Sequence, residues 1–341
     1  MNLVAHGTIK ALIGTMFIVG PAFSETLTLA HGYAPSHSLV TEWMEPWMRC
    51  VTENTDGEVD FSHFPSGQIV TVPTALSSLN SGLTDVTVIA IGSNSDRFPL
   101  NGITMLPGMG ESASHMVRAY RVMLGQEGAF QDEFVQNEVY PVSVNMTPVY
   151  QLMWRDGPVE DRDAISGKLV RSLDGPMSFA LDAINAVPVS MPPSDMYLAL
   201  EQGAIDGVLL SPISVPPYHL NEVLSAITEN MSFGSSAAVL SISEAAMDRM
   251  DEPLRQQILD CGRQIEIKFA MYFDQQNDEL LKEFAAEGID VYRISHDELN
   301  AINEQVQAVH QQFTDRLENQ GHPAMEVLNT YRQVIAAESN N

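Results

Sequence analysis

Basic side chains are scarce in this sequence: 17 Lys and Arg stand against 44 Asp and Glu, a formal charge of −27. A surface this acidic repels nucleic-acid phosphates and anionic lipid head groups, which argues against both as partners. Cysteine is nearly absent too. Cys50 and Cys261 lie far apart and in no metal-type spacing. An exported chain would permit a disulfide between them, while a lone Cys in a helical run is as readily a small core residue, so both readings stand. Nowhere do some ~20 apolar residues run uninterrupted, so no membrane-spanning helix is predicted. Enzyme signatures are missing as well: there is no H-E-x-x-H, no G-x-S-x-G and no P-loop. The histidines show no ligand spacing. These absences predict a chain with no catalytic residue, no metal and no cofactor.

What is present begins with a processing segment. Lys10 precedes the apolar run Ala11 to Gly20, and Ala22 and Ser24 sit at the spacing a signal peptidase needs. Cleavage after Ser24 predicts export to the periplasm. It removes one lysine and no acid, taking the charge from −27 to −28. The remainder is long enough for two lobes of about 150 residues, each with its own core.

Along that remainder, short apolar runs alternate with amphipathic ones. Leu27–His31, Val59–Phe64 and Val86–Ile91 read as strands, the last continuous and apolar like a buried parallel strand. His37–Thr52 carries apolar residues at helical spacing, and Trp43 and Trp47, one turn apart, are read as helix-face packing. Further strands are predicted at Val139–Asn145, Tyr150–Trp154, Leu169–Arg171, Val187–Met191 and Ile205–Leu210, with helices between them. Such alternation predicts α/β lobes with mainly parallel sheets. From Asp251 onward the pattern turns helical.

One region carries a composite motif: Gly167-Lys168-Leu169-Val170-Arg171, then Pro188-Val189-Ser190-Met191-Pro192, then Leu200-Glu201-Gln202-Gly203-Ala204-Ile205-Asp206-Gly207. In order and spacing this resembles the substrate-binding proteins of TRAP transporters of the dicarboxylate (DctP) type. Thr55-Asp56-Gly57, Ser66-Gly67-Gln68, Leu106-Pro107 and Ile294-Ser295 add to the likeness, which extends over nearly the whole mature chain. The lysine directly after Gly167 departs slightly from the family pattern. The resemblance implies a two-lobed periplasmic-binding-protein clamshell with a hinge and a C-terminal helical segment. One lobe would comprise 25–147 plus 236–276, the other 148–235 plus 277–304, with 305–341 bracing both.

It also implies a function: a monomeric, non-enzymatic protein that captures a small organic anion and hands it to the TRAP membrane permease. By the same likeness Arg171 clamps the ligand carboxylate, a role that suits a permanently charged planar fork. Ser211 stands where many relatives carry an Asn that bonds the ligand, although the run Asp206–Pro212 is one residue longer here. Tyr33 and Ser93 follow strands, where ligand contacts gather at carboxyl ends. Tyr150 and Trp154 flank the first strand of the second lobe, and Phe233 precedes the return to the first. Binding for an ABC transporter or a sensor is the alternative within this class, and a secreted lyase or hydrolase the alternative outside it.

Overall fold

Leu27 and Leu29 enter the core from one face of β1 (Glu25–Ala30), as the alternation of that segment predicts. The computed structural model describes residues 25–172 and 176–338; the leader expected over 1–24 lies outside them. After a π-helical stretch, Leu39–Met44, the chain continues as α1 (Glu45–Asn54) and returns as β2 (Val59–Phe64), parallel to β1. α2 (Ala75–Asn80) and β3 (Val86–Ala90) repeat the unit. α3 (Ala113–Leu124), α4 (Ala129–Gln136) and β4 (Val139–Met146) complete this passage.

The chain then crosses to a second sheet. It contributes β5 (Gln151–Trp154), α5 (Arg162–Ile165), β6 (Leu169–Ser172), α6 (Pro176–Ala183), β7 (Val187–Ser190), α7 (Met196–Glu201), β8 (Gly207–Leu210) and β9 (Ala226–Thr228). It crosses back as β10 (Ala237–Ser243) and α8 (Glu244–Asp248). α9 (Glu252–Glu287), 36 residues and about 54 Å long, carries it over once more to β11 (Asp290–Tyr292). The first sheet is ordered β2-β1-β3-β10-β4 and the second β11-β9-β5-β8-β6-β7. α10 (His296–Glu318) lies on α6 of the second lobe and α11 (Ala324–Glu338) on α3 of the first, so the C-terminal helices touch both.

Mainly parallel sheets were expected, and within each sheet every strand but one runs in a common direction. β5 and β10 each run antiparallel to both neighbours. Both are the first strand laid down after a crossing between the lobes. The chain enters there at the edge where other strands end, so it must run away from that edge. The carboxyl ends of β3 and β4 therefore lie beside the start of β10, and those of β8 and β9 beside the start of β5. These two edges are joined by the crossing chain and face one another.

Lobe I is held by side chains that tie α1 and α9 to the sheet. The Trp43 indole N–H donates to Ser143 Oγ at 2.8 Å, and that of Trp47 to the Ile258 carbonyl at 3.3 Å. Trp43 also stacks on Phe269 with centroids 5.7 Å apart. Both tryptophans are wholly buried, as helix-face packing requires. Arg121 of α3 grips Glu266 of α9 through two bonds, 2.8 and 2.5 Å, and Glu266 also accepts from the Val144 amide at 2.9 Å. Cys50 and Cys261 form a disulfide, joining α1 to α9.

The crossings pair as a short ribbon. Thr147 N–H donates to Ser236 O at 3.0 Å and Tyr150 N–H to Gly234 O at 2.9 Å. Gly234 sits at φ +96°, and a Cβ there would come within 2.3 Å of the Met105 carbonyl oxygen. Left-handed backbone costs a non-glycine residue roughly 1–2 kcal/mol, and overpacking a further ~1–3. Gly234→Ala is therefore expected to lower unfolding free energy by about 2–5 kcal/mol in urea titration. An unchanged midpoint would show that the ribbon shifts freely.

Candidate functional site

Arg171 stands on β6, between Val189 of β7 and Val208 of β8, inside the second sheet. A charge in such a place is costly unless bonded and answered by an opposite charge. The side chain is only 1% exposed, and its Nε and Nη2 both donate to the Met191 carbonyl, at 3.3 and 3.2 Å. One edge of the guanidinium is thus fixed by the residue just after β7.

Two tyrosines stand near this charge, and a third stands near one of them. Tyr150 precedes β5 directly and is buried; Tyr218 closes a turn of 3-10 helix, Pro216–Tyr218; Tyr33 lies in the loop after β1. Burial raises the pKa of Tyr150 and of Tyr218, and the Arg171 guanidinium opposes the rise in both. Burial likewise pushes Tyr33 up to about 12, and the neighbouring Tyr218 adds to it. Groups that shift one another in this way lie within each other's electrostatic reach. Tyr33 of the first lobe therefore lies within electrostatic reach of Tyr218 of the second.

Ser211 follows β8 directly and is wholly buried. Its hydroxyl has no hydrogen-bond partner among the described residues. Burying a hydroxyl unpaired costs about 1–3 kcal/mol, so this is a position where a bound molecule would supply what the protein does not. Ser93 is exposed in the turn Ile91–Asn94 after β3, at the corresponding edge of the first lobe. Phe233 donates its backbone N–H to the Tyr150 carbonyl at 3.3 Å, and its ring is buried in the main core.

Trp154 does not join this group. It pairs with Gly207, at the start of β8, whereas Gln151 pairs with Leu210 at its end. The strand register thus puts Trp154 at the far end from Tyr150. Its indole N–H donates to Tyr292 Oη at 2.9 Å, and the ring is 1% exposed. The aromatic beside a predicted site is a core residue, and the expectation of ligand contact is corrected. Trp154→Phe is predicted to cost about 1 kcal/mol of stability from the lost bond while ligand affinity stays within about twofold. A large loss of affinity in calorimetry would return Trp154 to the cleft.

Tyr218 was not predicted. The signal was present: an aromatic placed immediately after the Pro216-Pro217 turn. Two surface hollows lie elsewhere. One of about 310 Å³ is lined by Glu229, Asp278 and Lys282, and one of about 380 Å³ by Arg97, Asp132 and His322. Both are open depressions where water and salt screen any charge, whereas Arg171 is enclosed. Among the described residues no group of three or more His, Cys, Asp or Glu is placed to hold a metal ion.

A buried guanidinium at the strand ends has the chemistry to hold a carboxylate, and the comparisons give the family. The profile of the bacterial extracellular solute-binding proteins, family 7 (DctP), matches residues 29–316. The chain belongs to that family. A solute-binding protein of Albidiferax ferrireducens is 22% identical over 245 residues, 67% of each chain. Among solved structures, a TRAP solute-binding protein of Rhodoferax ferrireducens with copurified benzoate superposes with a TM-score of 0.83 at 21% identity, covering 93% of this chain and 99% of that one. A TRAP periplasmic solute-binding protein of Bordetella bronchiseptica with bound (R)- and (S)-mandelate gives 0.80 at 21% identity, covering 92% and 99%. The two-lobed fold with C-terminal helices is therefore that of the TRAP solute-binding proteins. In this solute-binding protein no helix among the described residues is long and apolar enough to cross a membrane.

Proposed function

We propose that this solute-binding protein captures a small organic acid between its lobes, without transforming it, and delivers it to a TRAP permease. The observation that carries the reading is the enclosed guanidinium of Arg171 beside Tyr150 and Tyr218, with Tyr33 of the other lobe within electrostatic reach of Tyr218. The exported chain, freed of its leader near Ser24, works as a periplasmic monomer. Residues 25–147 plus 236–276 and 148–235 plus 277–304 are its closing bodies, and the crossings are the hinge. Ser211 supplies a neutral polar contact, while Ser93 and Phe233 border the site.

One guanidinium matches one carboxylate, and three phenol rings favour a flat apolar body over a second charge. The benzoate and mandelate held by its structural relatives have that composition. A thermal-shift series with benzoate, mandelate, glucuronate and succinate tests it. A ligand at about 100 times its dissociation constant adds about 2.7 kcal/mol of stability. The aromatic acids are expected to raise the melting temperature and succinate to leave it unmoved. Recovery of the stabilising acid unchanged after incubation separates capture from turnover. Stabilisation by succinate alone would refute the aromatic assignment.

A further inference from the structure

Behind Tyr33 sits a pair of histidines that the capture site does not use. His31 lies directly after β1, 1% exposed, and His63 lies on the neighbouring strand β2. Their Nε2 atoms are 2.7 Å apart. His31 Nδ1 accepts the backbone N–H of Tyr33 at 3.2 Å. The tautomers follow from these two contacts. A nitrogen that accepts from an amide carries no proton, so neutral His31 holds its proton on Nε2 and donates it to His63. His63 Nε2 must then be bare, its proton on Nδ1. A metal bridging the two Nε2 atoms would have to expel that proton onto the nitrogen already facing Tyr33.

The surroundings of the pair are largely uncharged. His37, in the turn before α1, has its ring centroid 5.2 Å from that of Tyr33, and its Nδ1 accepts the Leu39 N–H at 3.1 Å. Tyr33 itself lies 5.8 Å from His31, centroid to centroid, and within electrostatic reach of Tyr218. Phe64, Ile69, Val70 and Ala75 pack beside the end of β1 around Ala30. Glu45, at the start of α1, is the charged group that acts on His63.

Resting on the capture reading above, we propose that His31, held in one tautomer by His63, is a positioning residue that fixes Tyr33 for closure over the ligand, and that protonating the pair releases it. A second proton has no place. On His63 it puts two N–H groups head to head; on His31 it confronts the Tyr33 amide. The pair keeps its geometry only while neutral. Burial, with His63 and His37 nearby, lowers His31 to about 4; burial lowers His63 too, against the pull of Glu45. Folded-state values below the unfolded 6.5 mean that the unfolded chain binds more protons between them. Stability from this pair is therefore full above about pH 6.5 and is lost as pH falls toward 4.

Imidazole nitrogen NMR on the mature chain without ligand tests the pair directly. His31 is expected as the Nε2–H form and His63 as the Nδ1–H form, with the Tyr33 amide resonance moving as the rings titrate. The reverse tautomers, or a Tyr33 amide blind to that titration, would overturn the proposal. Benzoate affinity by calorimetry supplies the functional arm. It is expected to weaken about tenfold from about pH 7.5 to about pH 5, where benzoate is still mostly ionised. His63→Gln, an acceptor that never protonates there, should keep the affinity and flatten its pH profile; His63→Phe should lose affinity at both values. Tighter wild-type binding at the lower pH would show the histidines acting as charges and would overturn the positioning role. If no tested acid binds at any pH, the capture reading fails, and the ligand-free spectra still decide the pair.

Discussion

Arg171→Ala raises the dissociation constant for the captured acid about 10²–10³-fold, measured by calorimetry. The side chain is 1% exposed, so the ligand carboxylate meets it out of reach of bulk water. Deleting one member of a buried ion pair costs about 3–5 kcal/mol, because the other charge stays desolvated without an answer. At about 1.4 kcal/mol per decade this gives the stated range. Charge alone does not suffice. Arg171→Lys keeps it but loses the planar fork and the Nε and Nη2 bonds to the Met191 carbonyl, so an intermediate loss is expected. The ratio between the two variants reports how much of the affinity is geometry. Affinity should also change little between low and moderate salt, since an enclosed pair is weakly screened. Wild-type binding by Arg171→Ala, with the fold intact by circular dichroism, would remove the guanidinium from the mechanism.

Much of this arrangement was readable from the chain because its signals are local. A glycine turn, an apolar strand and an arginine at its end are contiguous in Gly167–Arg171, and the strand Leu169–Ser172 forms there. Tyr150 and Ser211 adjoin strands whose existence the apolar runs announce. What escaped depends on partners far away. β10, Ala237–Ser243, is rich in alanine and serine, weak strand formers, and is a strand because β3 and β4 enclose it on both sides. β9 and β11 are three residues each, too short for any periodicity, and exist by pairing with one another. Trp154 was misread for a related reason. Nearness to Tyr150 in sequence says nothing of the extended strand that puts three residues, Gln151 to Met153, between them. Tyr218 enters the site through a turn rather than a strand, where alternation offers no guide.

Breaking the Cys50–Cys261 disulfide is the other change with a large expected effect, and it acts on stability rather than binding. The residues are 211 apart, so the bond closes a very long loop. Loop-closure entropy for such a length is about 5 kcal/mol at 25 °C, taken out of the unfolded chain. Other contacts hold this region to α9 besides the bond: Trp47 of α1 reaches the Ile258 carbonyl, and Trp43, in the stretch Leu39–Met44 before α1, stacks on Phe269. The bond also lies away from the ligand. α1 and α9 both start or finish their approach to it at the ends of lobe I opposite the strand tips: Cys50 is in the last half of α1, and Cys261 follows the exit from β10. The Cys50→Ser, Cys261→Ser double variant should therefore melt about 10 °C lower while its affinity stays within about twofold. A fall of only a degree or two would mean that the unfolded chain keeps these helices close without the bond. A matching loss of affinity would mean that the geometry of α9, which runs on to β11 in the second lobe, is set by its tether to α1.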